Sequence, residues 1–223
     1  MDSIRIHKVV RSKRRTIALV VGADATLTVR APISTPLRYI EDLVRRKLRW
    51  INKQIREVES RPVVREKRFV SGESFLYLGD LYKLRIVKSS ATPFIFQKEF
   101  VLAYERRGDA RELFVDWYKQ EARKKIRERV RLHAQRIGLK VGAVSITNAQ
   151  KRWGSCTKSD NLNFSWRLVM APLHIVDYVV VHELAHVTEK NHSEGFWRKI
   201  STMYPAHRSS REWLKNNEHL LHV

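Results

Sequence analysis

Three histidines and two glutamates lie within eleven residues near the C-terminal end of the sequence. His182 and His186 are four residues apart, Glu183 follows the first of them, and His192 comes six residues after the second. On a helix, this spacing puts two imidazoles on one face, where both can bind one ion at about 2.0–2.1 Å. Glu183 projects about 100° away around the helix, so it can reach a water beside the ion more easily than the ion itself.

A catalytic zinc centre needs a third protein ligand and one open position. We predict that His192 is this ligand, which requires the motif helix to end within Val187–Lys190 so that the chain can turn back. Metzincins have the same six-residue step but carry a glycine where this chain has Glu189, so the turn must differ here. Glu212 and Glu218 stay open as alternative ligands.

The chemistry that this group predicts is hydrolysis. A zinc ion lowers the pKa of a bound water toward about 7, and Glu183 would take its proton as the general base. The attacked centre can be a peptide carbonyl or a phosphoryl group. Two enzyme functions therefore stay open: a zinc metallopeptidase, and a zinc-dependent nucleoside triphosphate pyrophosphatase or phosphohydrolase. A third alternative is a nucleic-acid-binding protein with a structural zinc, although such sites usually have four protein ligands rich in cysteine.

The elements that must position these residues form an α+β pattern. The apolar run IVDYVVV predicts a buried motif helix starting at Pro172, and a long helix is predicted over roughly Ala110 to Ile137. Between them lie the predicted strands AVSITNAQ, RWGSC and NLNFSWRLVMAP, and two short helices close the chain. We predict a catalytic domain over 109–223. A β-rich region over 1–108 would precede it, with an antiparallel meander, one basic helix at about 36–59, and RPVVREKR as a linker or exposed turn.

Composition limits the location and the partners. The chain has 223 residues, one cysteine and no apolar run near the roughly 18–20 residues that cross a bilayer, which predicts a cytoplasmic protein without a membrane partner. The net charge is +21, and the first 68 residues alone hold 18 Lys and Arg against 7 Asp and Glu. This excess predicts binding of DNA or RNA through the N-terminal half, with an ordinary charged surface as the alternative.

RWGSCTKSDNLNFSWRLVMAP followed by DYVVVHELAHVTEKNHSEGFW resembles the YgjP-like metallopeptidase domain family, which is related to the SprT-like and WLM zinc proteases. RRTIALVV, LTVRAP and YLGDLYKLRIV resemble its N-terminal half. The resemblance implies a zincin-like, minimal gluzincin-type core that holds Zn²⁺ through His182, His186 and His192, with Glu183 as the catalytic residue. It also implies that the RWGSC strand borders the active-site cleft. SprT-like relatives act on DNA-bound proteins, which suits nucleic-acid-associated substrates, while some YgjP-like proteins are described as nucleotide pyrophosphatases.

The residues of RWGSC offer substrate contacts. Arg152 can bind a substrate carboxylate or phosphate or polarise the scissile group, and Trp153 can form a cleft wall. Gly154 within a strand permits a close backbone approach. The alternative is a surface arginine, a packed tryptophan and a buried thiol at Cys156. Phe196 and Trp197 are expected to pack the segment after His192 against the motif helix.

Overall fold

A computed structural model describes residues 5–22, 24–60 and 66–223 of the chain. Within these residues the chain forms three small mixed sheets and six α-helices, which confirms the predicted α+β class. The chain divides into two compact units, residues 1–64 and 65–223. Of the predicted linker RPVVREKR, residues 61–65 lie outside the described part.

The first unit contains a three-stranded sheet of β1 (Ile6–Ser12), β2 (Ala18–Val21) and β3 (Leu27–Pro32). Its order is β1-β3-β2, with β3 parallel to β1 and antiparallel to β2, so the predicted antiparallel meander is wrong. The burial of β3 explains this order. Leu27, Val29 and Ala31 are almost completely buried, and the strand with the most buried face takes the centre.

Two helices follow where one was predicted: α1 (Leu37–Arg46) and α2 (Leu48–Glu59). The break is at Lys47, whose N–H donates to both Leu43 O (3.0 Å) and Val44 O (3.1 Å), which tightens the turn. Pro36 is the N-cap of α1 and no side chain caps the helix. The buried side chains of both helices join β3 in one core, so the kink lets both apolar faces reach the same sheet.

The second unit begins with a four-stranded sheet made of β4 (Ser74–Tyr77), β5 (Asp80–Val87), β6 (Phe94–Phe96) and β7 (Phe100–Ala103), in the order β4-β5-β7-β6. It packs against α3 (Ala110–Arg136), the predicted long helix. The Phe114 ring lies 4.1 Å from the Phe75 ring and 4.8 Å from the Phe100 ring, centroid to centroid. The predicted domain boundary after residue 108 therefore falls inside one shared core.

The elements around the motif complete this unit. β8 (Val144–Thr147), β9 (Gly154–Cys156) and β10 (Leu162–Ser165) form a sheet in the order β8-β10-β9, so β9 is an edge strand. The third predicted strand ends early, because a 3₁₀ helix over Trp166–Met170 replaces its second half. Three helices then follow: α4 (Leu173–Thr188), α5 (Glu194–Met203) and α6 (His207–Asn217).

The hairpin between β4 and β5 fixes the start of α4. Leu78 and Gly79 both have positive φ (49° and 93°), the arrangement of a type I′ turn. Their N–H groups donate to Val169 O (2.9 Å) and Met170 O (3.1 Å). A Cβ on residue 79 would lie 2.8 Å from Pro172 Cγ, so only glycine permits this contact.

In the described part of the chain, no helix combines the length and the apolarity that crossing a membrane requires. The cytoplasmic location stays a prediction.

Candidate metal centre

The motif helix α4 positions His182, Glu183 and His186. From Ile175 to His186 the helix is almost entirely buried, which holds the backbone of these residues in place. The helix ends at Thr188, inside the predicted range. Glu189 follows with φ −123° and ψ 92°, an extended conformation that any residue adopts. This explains why the turn does not need the glycine that metzincins have at that position.

The turn after α4 brings His192 back toward the motif helix. Lys190 extends from it to the β9–β10 connection, where its Nζ donates to Asp160 Oδ1 (2.5 Å) and Thr157 O (3.4 Å). Ser193 is the N-cap of α5, and its hydroxyl accepts a hydrogen bond from the Phe196 N–H (3.2 Å). The chain on both sides of His192 is therefore tied down.

A small apolar cluster joins α5 to α4, as predicted. Phe196 and Ile200 are fully buried against Val181 and Ala185 of the motif helix, and Trp197 packs at the edge of this cluster. The cluster fixes the distance between α4, which carries His182 and His186, and α5, which begins just after His192.

The three histidines converge on one point. His192 Nε2 lies 3.1 Å from His182 Nε2 and 3.2 Å from His186 Nε2. Nitrogens that bind one zinc tetrahedrally at about 2.05 Å are about 3.3 Å apart, so the observed separations fit one ion. Among the described residues, this is the group of potential ligands that could hold a metal, and neither Glu212 nor Glu218 belongs to it.

The protonation of the histidines also suits a metal. His186 Nδ1 lies 2.9 Å from Glu189 O, so this nitrogen donates and the Nε2 lone pair faces the other two rings. Burial, followed by the charges of His186 and His192, lowers the pKa of His182 to about 3, which keeps it neutral. Three convergent nitrogens cannot all be satisfied by one another, whereas a cation satisfies all of them. The residues therefore fit a divalent metal.

Glu183 is buried beside this cluster, and burial raises its pKa to about 7 although the charge of Arg152 lowers it. The side chain lies directly against the backbone of Gly154 on β9. A Cβ at residue 154 would be 2.6 Å from both Cγ and Oε1 of Glu183. This close approach explains why residue 154 is a glycine, and it places the first residue of β9 directly beside Glu183 of the motif helix.

A cleft of about 240 Å³ opens above Glu183 and His182. Trp153 forms part of its wall, together with Tyr178 and Leu214. Arg152 is exposed and close enough to Glu183 to influence its pKa. Binding of substrate by Arg152 and Trp153 stays a prediction.

Comparison with protein-family models gives a match to the YgjP-like metallopeptidase domain over residues 15–217. The chain belongs to this family. Membership of the YgjP-like family implies a hydrolase that uses a metal ion, and the three convergent histidines could bind one. A comparison with curated proteins gives no match.

Sequence reasoning missed a buried polar network in this YgjP-like chain. Asp177, on the motif helix, accepts hydrogen bonds from Arg129 Nε (2.5 Å) and Nη2 (2.9 Å), and its Oδ1 lies 3.0 Å from His133 Nε2. The signal in the sequence was the i,i+4 spacing of Arg129 and His133 on α3, which puts both side chains on one side of the helix. His133 belongs to the buried stripe of this helix.

Sequence reasoning also missed Arg211, which lines the cleft of this YgjP-like protein from α6. Its guanidinium lies over the Trp197 ring, with Cζ 5.3 Å from the centroid. No spacing pattern marks this residue, because it comes close to the histidines only through the packing of α6 against α4.

Proposed function

We propose that the chain is a zinc-dependent metallopeptidase of the His-Glu-x-x-His type, with a zincin-like, minimal gluzincin-type core. In this proposal His182, His186 and His192 hold the Zn²⁺, and Glu183 is the general base. The observation that carries it is the convergence of three Nε2 atoms, 3.1 and 3.2 Å apart, beside a buried glutamate that lines a cleft.

The chemistry divides between the metal and the protein. A bound Zn²⁺ would polarise the attacking water and the scissile carbonyl. Glu183 accepts the proton of the water and then delivers it to the leaving amine. Without the metal, burial raises the pKa of Glu183 to about 7, and a bound Zn²⁺ would lower it again, so the group can accept a proton near neutral pH. Burial of Glu183 excludes bulk water from the carboxylate and holds it in one orientation.

The edge strand β9 supports a peptide as the substrate. Its partner on one side is β10, and as an edge strand it offers N–H and C=O groups on the other. An extended peptide can pair with such an edge and lie along the cleft, with its backbone directed past Glu183. Trp153 would then contact a substrate side chain.

Three protein ligands favour a catalytic site over a structural one. A structural zinc is usually closed by four protein ligands, whereas the group found among the described residues has three. The cleft reaches His182, so substrate and water would have access to an ion held by the three histidines.

We further propose that the first unit binds nucleic acid and brings the enzyme to nucleic-acid-associated proteins. Two exposed aromatic side chains, Tyr39 and Trp50, lie among the basic residues of α1 and α2, and aromatic rings can stack on unpaired bases. The basic side chains of these helices are all exposed: Arg38, Arg45, Arg46, Arg49, Lys53 and Arg56. Salt-dependent DNA or RNA binding that weakens when Arg49 and Lys53 are replaced by Gln supports this role; unchanged binding contradicts it.

The test of the peptidase proposal compares Glu183→Gln with Glu212→Gln. Zinc-loaded wild type, incubated with casein, a DNA-bound protein and UTP, is expected to cleave peptide bonds. Glu183→Gln should retain zinc and lose about 10²- to 10⁴-fold in rate. Glu212→Gln is the matched control and should keep both zinc and rate, since Glu212 is exposed and outside the histidine group. Release of phosphate from UTP without proteolysis would instead favour the phosphohydrolase.

A further inference from the structure

Arg211 lies between two hollows of the second unit. On one side it lines the cleft above Glu183, and on the other it lines a groove of about 500 Å³ that Trp197 and Arg208 also border. The cleft and the groove therefore meet at Arg211, and the groove carries three arginines and one glutamate. A substrate that extends beyond the histidines on this side passes the guanidinium of Arg211.

The Arg211 guanidinium is held in place by an aromatic ring. Its Cζ is 5.3 Å from the centroid of Trp197, and the Trp197 ring stacks on His192 at 5.7 Å with 26° between the planes. The cation is thus one ring away from a predicted metal ligand. Such stacking favours arginine over lysine, because the planar guanidinium can lie on the ring and still donate from its edge.

The charge of Arg211 is unpaired in the described part of the chain, where it forms neither an ion pair nor a hydrogen bond. Arg208, three residues earlier on the same helix, likewise forms neither an ion pair nor a hydrogen bond with the described residues. Arg198, which borders the same groove, differs because its Nη2 donates to Glu194 Oε1 (2.9 Å). Two guanidinium groups that form no ion pair and no hydrogen bond in the described part of the chain therefore border this groove, and one of them, Arg211, also lines the cleft beside His182.

A fixed cation at this place opposes the binding of a metal. Arg211 and His182 line the same cleft, so the guanidinium charge would repel a divalent ion held by the histidines. An anionic group between the metal and Arg211 would remove this repulsion and gain charge-assisted hydrogen bonds.

We propose that Arg211, assisted by Arg208, forms a subsite for a carboxylate of the peptide substrate. The subsite makes the enzyme selective for peptides that carry an acidic group on the α6 side of the cleft. The carboxylate comes either from an Asp or Glu side chain or from the C-terminus of the peptide. The inference rests on the proposed peptidase function, because it assumes that the substrate is bound at the histidines.

The test measures binding, so it does not depend on turnover. Each of four probes has a hydroxamate group, which binds the metal, joined to one residue. Two probes carry a carboxylate: glutamic acid amide has it in the side chain, and glutamine with a free carboxyl group has it at the C-terminus. The other two, glutamine amide and lysine amide, have none. Their dissociation constants for the zinc-loaded protein are measured by calorimetry, with the metal-free protein as the blank. Comparison of the first two probes distinguishes an acidic side chain from a C-terminus.

In the wild type, at least one carboxylate probe should bind about 10- to 100-fold more tightly than the neutral amide. Arg211→Gln should lose this preference and keep its affinity for the neutral amide. Arg208→Gln should reduce the preference, and Arg198→Gln, the matched control, should leave it unchanged. Arg211→Glu should reverse it in favour of the lysine amide, a change that a merely structural role of Arg211 would not produce.

Equal binding of all four probes by the zinc-loaded wild type would overturn the subsite. So would an equal loss of affinity for all four probes in Arg211→Gln. If no probe binds better with zinc than without it, the metal centre is wrong and the subsite falls with it. The peptidase proposal is tested separately, and it fails if peptide cleavage does not depend on Glu183.

Discussion

Replacement of Gly154 by Ala tests the placement of Glu183. The new Cβ would lie 2.6 Å from Glu183 Cγ, whereas ordinary van der Waals contact begins at 3.4 Å. The carboxylate must therefore shift by almost 1 Å, because the backbone of β9 is fixed by pairing with β10. A misplacement of about 1 Å can cost about 10²-fold in rate, which is about 2.7 kcal/mol of transition-state stabilisation.

The assay is kcat/KM for a peptide that the wild type cleaves, measured together with zinc content and Tm. We expect Gly154→Ala to bind zinc, because His182 and His186 project from a different face of α4 than Glu183, and His192 lies outside this helix. The matched control is Gly108→Ala, where an added Cβ meets no atom within 4 Å, and it should retain full activity. Full activity of a folded, zinc-loaded Gly154→Ala protein would refute the assignment of Glu183 as the base.

Three further changes test other parts of the site. Asp177→Asn should lower the free energy of unfolding in urea at pH 7 by about 3 kcal/mol. Burial alone would raise the pKa of Asp177, but hydrogen bonds from His133 and Arg129 outweigh it, and the pKa is lowered from 3.8. The network is thus fully stabilising above pH 3.8 and weakens as the pH falls below it; a variant with the same acid sensitivity as the wild type contradicts this. A chelator should lower the Tm by an amount equivalent to about 4 kcal/mol if zinc had been present at about 1,000 times its Kd. His192→Ala should show a smaller shift, and equal shifts would exclude His192 as a ligand. Cys156→Ser should keep zinc and rate, because the thiol donates to Thr157 O and is not one of the grouped ligands; loss of zinc would contradict this.

The parts of the site that lie close in sequence could be predicted from it. The i,i+4 pair, the end of α4 and the return to His192 follow from helix geometry and from the need for a third ligand. The start of α5 at Ser193 follows from its capping side chain. These features depend on residues at most ten positions apart, so the local pattern determines them.

The features that depend on packing between distant elements could not be predicted. The parallel pairing of β1 with β3 depends on which strand is buried on the sheet, and the break at Lys47 has no glycine or proline to mark it. The contact of Gly154 with Glu183 and the position of Arg211 arise only when β9 and α6 pack against α4. In each case periodicity indicates the element but not its neighbour.

The small cluster of Val181, Ala185, Phe196 and Ile200 is separate from the main core of the second unit. A cluster of this size can open without unfolding the rest of the unit, and opening would carry His192 away from the other two ligands. Metal binding is then coupled to the packing of α5 against α4, because the three ligands meet only when this cluster is closed. Amide hydrogen exchange should accordingly slow in α5 when zinc is added, while the exchange rates in α3 stay unchanged. The bound ion would then stabilise the position of α5 against α4.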